Sequence, residues 1–581
     1  MKSSFNFTPE FIKHIAIIIL GGFLITSIIF NVILFNQIVN PTKIPEDKKE
    51  ILTVGFWHHP SYWYEDEYGL DPLNAYDTGS MTIIRQIAEG LYMYDYTKPS
   101  LPRIPMLAAD DGVWEDNFTW TVRLRENICF HDNVKFNATA VKWTFDRLLW
   151  FLNSSGEIYY PMRIMKHKTL YLLPNGTSII NEIIINSEYS VSFKLNSPFG
   201  PIKDLLCHSS ASILSPRSIP NGEYIHMRYG DIVGTGPFLY DNYVEGIIRL
   251  RCWESYWRAK AYFDDLIFKD MDWETRYNAM LNKEIDFLLD HDMEYYSIFE
   301  EDPSITCDNS VVGVNYQGLI LSNDNFSSTW RKAISYAINY SSIIQDWPID
   351  AIRANNPLTS EYFGYDPSAK APSYNLTRAR EIVVGMGFGD MSWSEEQWAN
   401  ANFYDCVFGF FRTTRHFSAN LFNNLNLDSI GLDVIDGSAC WAYWEPDWHW
   451  AEYDMYLLSF NPDYLDPINL FYNVFSSKAP YYTSYYGFAS NPECNYFISL
   501  VDAKNPYFNN SWLEQKYLEA MSDINDISRA IKYAELQHIL TEDIFPNVFL
   551  CHSNVYTVHS SDLKNVPYNP LNVFYAWQIY R

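Results

Sequence analysis

The sequence predicts an α/β protein of more than one domain, preceded by one N-terminal transmembrane helix. Three observations carry this. Strand-like runs alternate with helical patterns along most of the chain. The 581 residues exceed what a single core ordinarily organises. Ile15 to Phe35 is 21 residues without a charge, interrupted mainly by Thr26, Ser27 and Asn31, which is long enough to span a bilayer. No small-residue cleavage site ends that run, and the first Cys, Cys129, comes far too late to carry a lipid, so the run reads as an uncleaved anchor.

Composition narrows the function classes. Hydrophobic residues make up 48% and charged residues 19%, as in a folded globular chain. The net charge of −28 argues against nucleic acid, whose phosphates demand a basic face, and allows cationic or amine-bearing ligands. Eight Cys without a C-x-x-C pair give neither a zinc nor a thioredoxin signature. Lysines flank the expected span on both sides, so charge does not orient it. N-x-S/T sequons occur at Asn6, Asn117, Asn137, Asn153, Asn175, Asn325, Asn339, Asn375 and Asn509, a density compatible with a globular domain outside the cell.

Taken in order, Asn36 to Glu50 is a polar linker and Ile51 to Trp57 a first strand. His58-His59 is a poor joint metal site, because neighbours on an extended chain face opposite ways. Ser80 to Leu91 is an amphipathic helix ending Glu89-Gly90-Leu91. Trp120 to Phe145 is a strand, a short hairpin through His131-Asp132-Asn133, and a helix from about Ala138. Its turns carry Asn127 and Asn133, which tolerate left-handed backbone. Gly234-Thr235-Gly236-Pro237-Phe238 is a tight turn running into a strand. It lacks the Lys-Ser/Thr and the following helix of a phosphate loop. Ile247 to Trp257 contains a strand, and Ala279 to Phe287 a helix end with Lys283 at its turn. Ser328 to Tyr340 is a helix capped by Ser328 or Thr329, Asn375 to Phe388 a capped helix ending at Gly387, Cys406 to Phe411 a strand, Phe417 to Leu427 a helix, and Gly431 to Ile435 a strand. Met455 to Phe460 is a buried strand broken by Asn461-Pro462, with Asp463 at the break and Asp466-Pro467 as a second turn. A helix near Ala530 to Thr541 precedes the tail.

These segments, in this order, resemble the family 5 extracellular solute-binding proteins, the dipeptide, oligopeptide and nickel receptors of ABC importers. The motifs that carry the resemblance are Glu89-Gly90-Leu91, the Trp120–Phe145 hairpin and helix, Gly234–Phe238, Tyr256-Trp257, Arg331–Asn339 and the strand that ends at Asp463. Val141 directly follows Ala140, where the family places an Asp, which leaves the cap of that helix open.

The resemblance implies a two-lobed periplasmic-binding-protein-like fold with an extra subdomain in the first lobe. The expected layout is residues 1–14 cytoplasmic, 15–35 transmembrane, 36–50 linker, 51–311 first lobe with its inserted subdomain, 312–552 second lobe, and 553–581 returning to the first lobe. It implies a single-pass protein of the cell membrane with its globular domain outside. That protein captures peptides in an interlobe cleft, delivers them to ABC permease subunits, and needs no cofactor, metal or nucleic acid.

In peptide-binding members the Asp at the place of Asp463 pairs with the ligand's α-ammonium, while backbone of Ser459, Phe460 and Asn461 extends the ligand's backbone. On local sequence alone, Asp463 reads equally as a turn-former. Arg412 and Arg415 are candidates for the ligand carboxylate, with solvated surface Arg as the plainer alternative. Trp441 and Trp444, within Trp441–Trp450, fit either interlobe packing or stacking on a sugar, so an oligosaccharide-binding receptor of the same family is the alternative reading. An extracellular hydrolase is less favoured, since no G-x-S-x-G, H-E-x-x-H or paired-carboxylate motif occurs.

Overall fold

The computed structural model describes residues 50–56, 70–75, 77–153, 167–219, 229–289, 296–321, 326–347, 350–409, 424–437, 453–476 and 510–581. The expected anchor, most of the linker, His58-His59, Arg412, Arg415, Trp441, Trp444 and most of the helix expected over Phe417–Leu427 lie outside the described residues. Among the described residues no helix is long and apolar enough to cross a membrane.

After β1 (Ile51–Phe56) comes the helix Thr78–Ile87, then a hairpin of β2 (Tyr92–Tyr94) and β3 (Arg103–Pro105). β4 (Val113–Asp116), β5 (Thr119–Arg123), β6 (Ile180–Ser187) and β7 (Ser190–Leu195) form a separate antiparallel sheet in the order β4-β5-β7-β6. The helix Ala138–Asn153 packs on that sheet because Val141, Phe145, Leu148 and Leu152 recur at helical spacing and are buried.

The main sheet is built next. β8 (Phe238–Val244), β9 (Ile247–Cys252) and β10 (Asp265–Asp270) run antiparallel back to β1, and β11 (Phe287–Leu288) flanks β1 in parallel on its other side. β12 (Ile305–Val312), β13 (Tyr316–Leu321), β14 (Ala351–Arg353), β15 (Tyr404–Gly409), β16 (Leu432–Asp436) and β17 (Met455–Phe460) follow. β18 (Asn547–Ser560) unites everything: its first half pairs with β13 and β14, its second with β12 and β11. The order is β16-β15-β17-β13-β18-β11-β1-β10-β9-β8, so two α/β halves share one long strand. Among the described residues, the passage from β12 to β13 and the strand β18 cross between the halves in this ladder. At the crossing Gly313 N donates to Ser553 O at 2.9 Å and Ser553 N to Asn315 Oδ1 at 2.9 Å.

β17 occupies the expected residues. Asn127, Asn133 and Lys283 hold φ of 62°, 64° and 62°, so each turn is left-handed. The helix from Ala138, despite its missing Asp, is capped by Asn137, whose Oδ1 accepts from Thr139 N at 3.0 Å. The cap of the helix Ser328–Ala337 is Ser327, not Ser328 or Thr329, because its Oγ accepts from Trp330 N at 3.3 Å. Asn339 and Asn375 also cap helices, so part of the sequon pattern is helix-start chemistry. The six described cysteines are all free thiols.

Candidate functional site

β17 lies between β13 and β15. It pairs antiparallel with β13 along its whole length, whereas β15 pairs with Met455 and Tyr456. Pro462 has no N–H to give and ends the ladder. Phe460 is buried, while Ser459 and Asn461 are exposed. Gln317 Nε2 donates to Ser459 Oγ at 2.8 Å across the pair.

Beyond the strand, Asp463 and Asn469 hold each other. Asp463 N donates to Asn469 Oδ1 at 2.9 Å, and Asn469 Nδ2 donates to Asp463 Oδ2 at 3.2 Å. Asp463 is therefore a turn-former. It is also largely buried, with its side chain 11% exposed, and among the described residues no Lys or Arg forms an ion pair with it. Burial pushes its carboxyl up to about 6, opposed by the bonds from Asn469 and its own backbone N–H.

Asp466 has the contrasting role. Its Oδ1 accepts from Ile468 N at 3.1 Å, capping the helix Pro467–Phe475, whose first position takes Pro467 without losing a hydrogen bond. Tyr533 Oη donates to the same oxygen at 2.5 Å, and Arg529 Nε stands 3.5 Å from the other. Burial raises this carboxyl to about 6 as well, with Arg529 pulling it down. One carboxylate is thus occupied by structure, while the other directs Oδ1 toward the opposite half.

What Oδ1 faces is the first half of the molecule. His208 Nε2 lies 3.9 Å away, and His208 is 4% exposed. Nearby, Leu465 N donates to Tyr94 Oη at 2.9 Å, and Tyr94 Oη donates to Asp204 Oδ1 at 3.1 Å, while Asp204 Oδ2 pairs with Arg103. Gly200 N donates to Met521 O at 2.8 Å. The two halves therefore close on each other around the Asp463 turn. His208, Tyr94 and Asn469 were not singled out from sequence. Asn469 sits in the first turn of the next helix, while His208 reaches Asp463, and Tyr94 the neighbouring Leu465, only through long-range topology.

The expected motifs cluster elsewhere, for structural reasons. The buried Glu89 carboxylate accepts from Thr235 Oγ1 at 2.7 Å, Tyr256 Oη at 2.6 Å and Trp257 Nε1 at 2.8 Å, and burial raises its pKa. A Cβ on Gly234 would meet Ile87 O at 2.2 Å, so that turn needs glycine for close backbone approach. His131 Nε2 bonds Gly236 O at 2.9 Å and Ser215 Oγ donates to Asp132 at 2.6 Å, making that hairpin a clamp on the same turn.

Comparison with known proteins agrees with this architecture. Residues 103–482 match the family model described as bacterial extracellular solute-binding proteins, family 5 Middle. The glutathione-binding protein GsiB of Escherichia coli O1:K1 is 25% identical over 339 residues, covering 57% of this chain and 62% of that protein. The chain thus spans about three fifths of the length of the curated relatives it matches. The periplasmic binding protein DppA of Helicobacter pylori, solved with the peptide STSA, has a TM-score of 0.68 at 22% identity, covering 91% of this chain and 98% of that one. NikZ of Campylobacter jejuni, solved with Ni(L-His), has a TM-score of 0.68 at 18% identity, covering 92% and 100%. At these identities the two structures speak for the fold, a two-lobed α/β binding-protein fold.

Proposed function

Because the chain belongs to the bacterial extracellular solute-binding proteins of family 5, we propose that it is the peptide receptor of an ABC importer, with Asp463 neutralising the ligand's α-ammonium between the lobes. The observation that carries this reading is a buried carboxylate, at the end of a central strand, with one oxygen facing the opposite lobe and no ion-paired Lys or Arg among the described residues. Leaving such a charge without a counter-ion is costly unless a ligand supplies one. Exposed Ser459 and Asn461 lie where their backbone can extend a peptide as an added strand, and Phe460 backs them from the core. Arg412 and Arg415 remain the proposed partners of the ligand carboxylate, and Trp441 and Trp444 the proposed aromatic wall.

A four-way cycle tests the ammonium pairing. Asp463→Asn keeps the turn-forming carbonyl and removes the charge. Calorimetry with a peptide found by thermal-shift screening should show folding retained and affinity reduced about ten- to a hundredfold, the worth of a bond to a charged group. N-acetylation should weaken the wild type similarly and the variant scarcely further. Additive losses would mean that Asp463 and the amine do not meet, and would turn the reading toward an oligosaccharide ligand.

We also propose that Ile15–Phe35 anchors the protein, lobes outward, beside its permease. The full-length chain should stay with membranes in high salt, because apolar burial in lipid is not screened. A mature N-terminus beginning after residue 35 would overturn this.

A further inference from the structure

We infer that His208 is a ligand-contacting, specificity-determining residue: its Nε2–H takes the carbonyl next to the ammonium that Asp463 holds, so that the site selects α-amino-acyl ends over simple amines. This rests on the peptide reading above and goes beyond it to the chemistry of the ligand's first residue.

The tautomer follows from hydrogen-bond directions. His208 Nδ1 accepts from the backbone N–H of Ser210 at 3.2 Å and lies 2.7 Å from Ser210 Oγ. A nitrogen that accepts a backbone N–H carries no proton, so Ser210 Oγ–H also donates to it. Tyr171 Oη, 2.8 Å from Ser210 Oγ, then donates to that hydroxyl. The neutral ring must carry its proton on Nε2, the atom that faces Asp463. Burial, then His167 at 4.8 Å between ring centroids and Arg85, all lower the affinity of the ring for a second proton.

The pair is left unmade. At 3.9 Å, Nε2 and Asp463 Oδ1 are beyond hydrogen-bond distance. A donor on the first lobe and an acceptor on the second therefore face each other without bonding. A simple amine satisfies only the carboxylate. An α-amino-acyl end has a donor, the ammonium, and an acceptor, the carbonyl oxygen, separated by one Cα, and satisfies both at once. Because the two groups come from different lobes, both bonds form only in the closed state.

The test uses trialanine and N-acetyl-trialanine on the full chain with His208→Phe and His208→Gln. His208→Phe removes the donor while keeping a ring, and should weaken trialanine binding about tenfold, as expected for one neutral hydrogen bond in a dry site. His208→Gln restores an N–H and should recover most of that loss. With N-acetyl-trialanine the His208→Phe loss should persist while the Asp463→Asn loss vanishes, because the two residues hold different atoms. Nitrogen-15 spectra of the ligand-free protein at neutral pH should show His208 as the neutral Nε2–H tautomer. Wild-type affinity in His208→Phe, a loss that disappears on N-acetylation, or an Nδ1–H tautomer overturns the inference while leaving Asp463's role standing. Failure of the wild type to bind any peptide overturns the peptide reading and this inference with it.

Discussion

At the scale of residues, Asp463 and Asp466 show how two carboxylates three positions apart diverge. Asp466 is consumed by a helix cap, a tyrosine and an arginine, whereas Asp463 holds a turn through one oxygen and leaves the other turned to His208. Burial lifts the Asp463 carboxyl from 3.8 to about 6, which corresponds to about 3 kcal/mol against the charged form. The sign follows. In the empty protein this group's contribution to stability is present below its unfolded value near 3.8 and is lost as pH rises through about 6. A ligand ammonium favours the charged form, so affinity for an amine-bearing peptide should be level above about pH 6 and fall by up to tenfold per unit below it. Calorimetry across pH 4.5 to 8 reads this. Asp463→Asn should flatten the profile, and an unchanged slope in that variant would assign the titration to Asp466 instead. None of the burial is written in the local sequence, where Asp463 reads as a turn residue like any other.

At the scale of elements, three separately recognisable stretches converge on one carboxylate. Glu89 lies just past the helix Thr78–Ile87, Thr235 sits in the glycine turn, and Tyr256-Trp257 follow β9; all three donors point at Glu89. Spacing along the chain announced each stretch, but not that they share a partner. Glu89→Gln is expected to lower stability by roughly 2–4 kcal/mol, since an amide nitrogen would face donors and at least one would go unmet. Urea unfolding of the two proteins measures it, and a loss under half a kcal/mol would show that the three donors find other partners. The turns at Asn127 and Asn133 were legible because short polar side chains accept φ near 60°. The cap by Asn137 was not, because Asn caps a helix as readily as the expected Asp and sits just before Ala138.

At the scale of the molecule, the halves are joined by β18 and the short crossing at Gly313–Asn315, and they meet again at Gly200 and Leu465. The strand crossings are thin and suit a hinge, while on the other side the halves meet through a shared buried cluster that includes Phe199 and Leu205 of the first and Leu465 and Phe471 of the second. Gly200 is a sensitive point, because a Cβ there would lie 2.2 Å from Asp523 O and 2.3 Å from Arg529 Nη1. Gly200→Leu should hold the lobes apart: small-angle scattering is expected to give a larger radius of gyration than wild type with saturating peptide, and affinity should fall although Gly200 is not proposed to touch ligand. Equal radii in the two proteins would place closure elsewhere.

The sequence by itself determined the α/β class, the order of the elements, the left-handed turns and the strand Met455–Phe460 that leads to Asp463. These depend on residues close together in the chain: alternation, breakers and caps act locally. Only the tertiary structure decided that Asp463 is buried without an ion-paired Lys or Arg among the described residues, that Asp466 is already engaged, and that His208 stands opposite. Desolvation and cross-lobe geometry are sums over residues hundreds of positions apart, brought together by β18, and no local pattern records them.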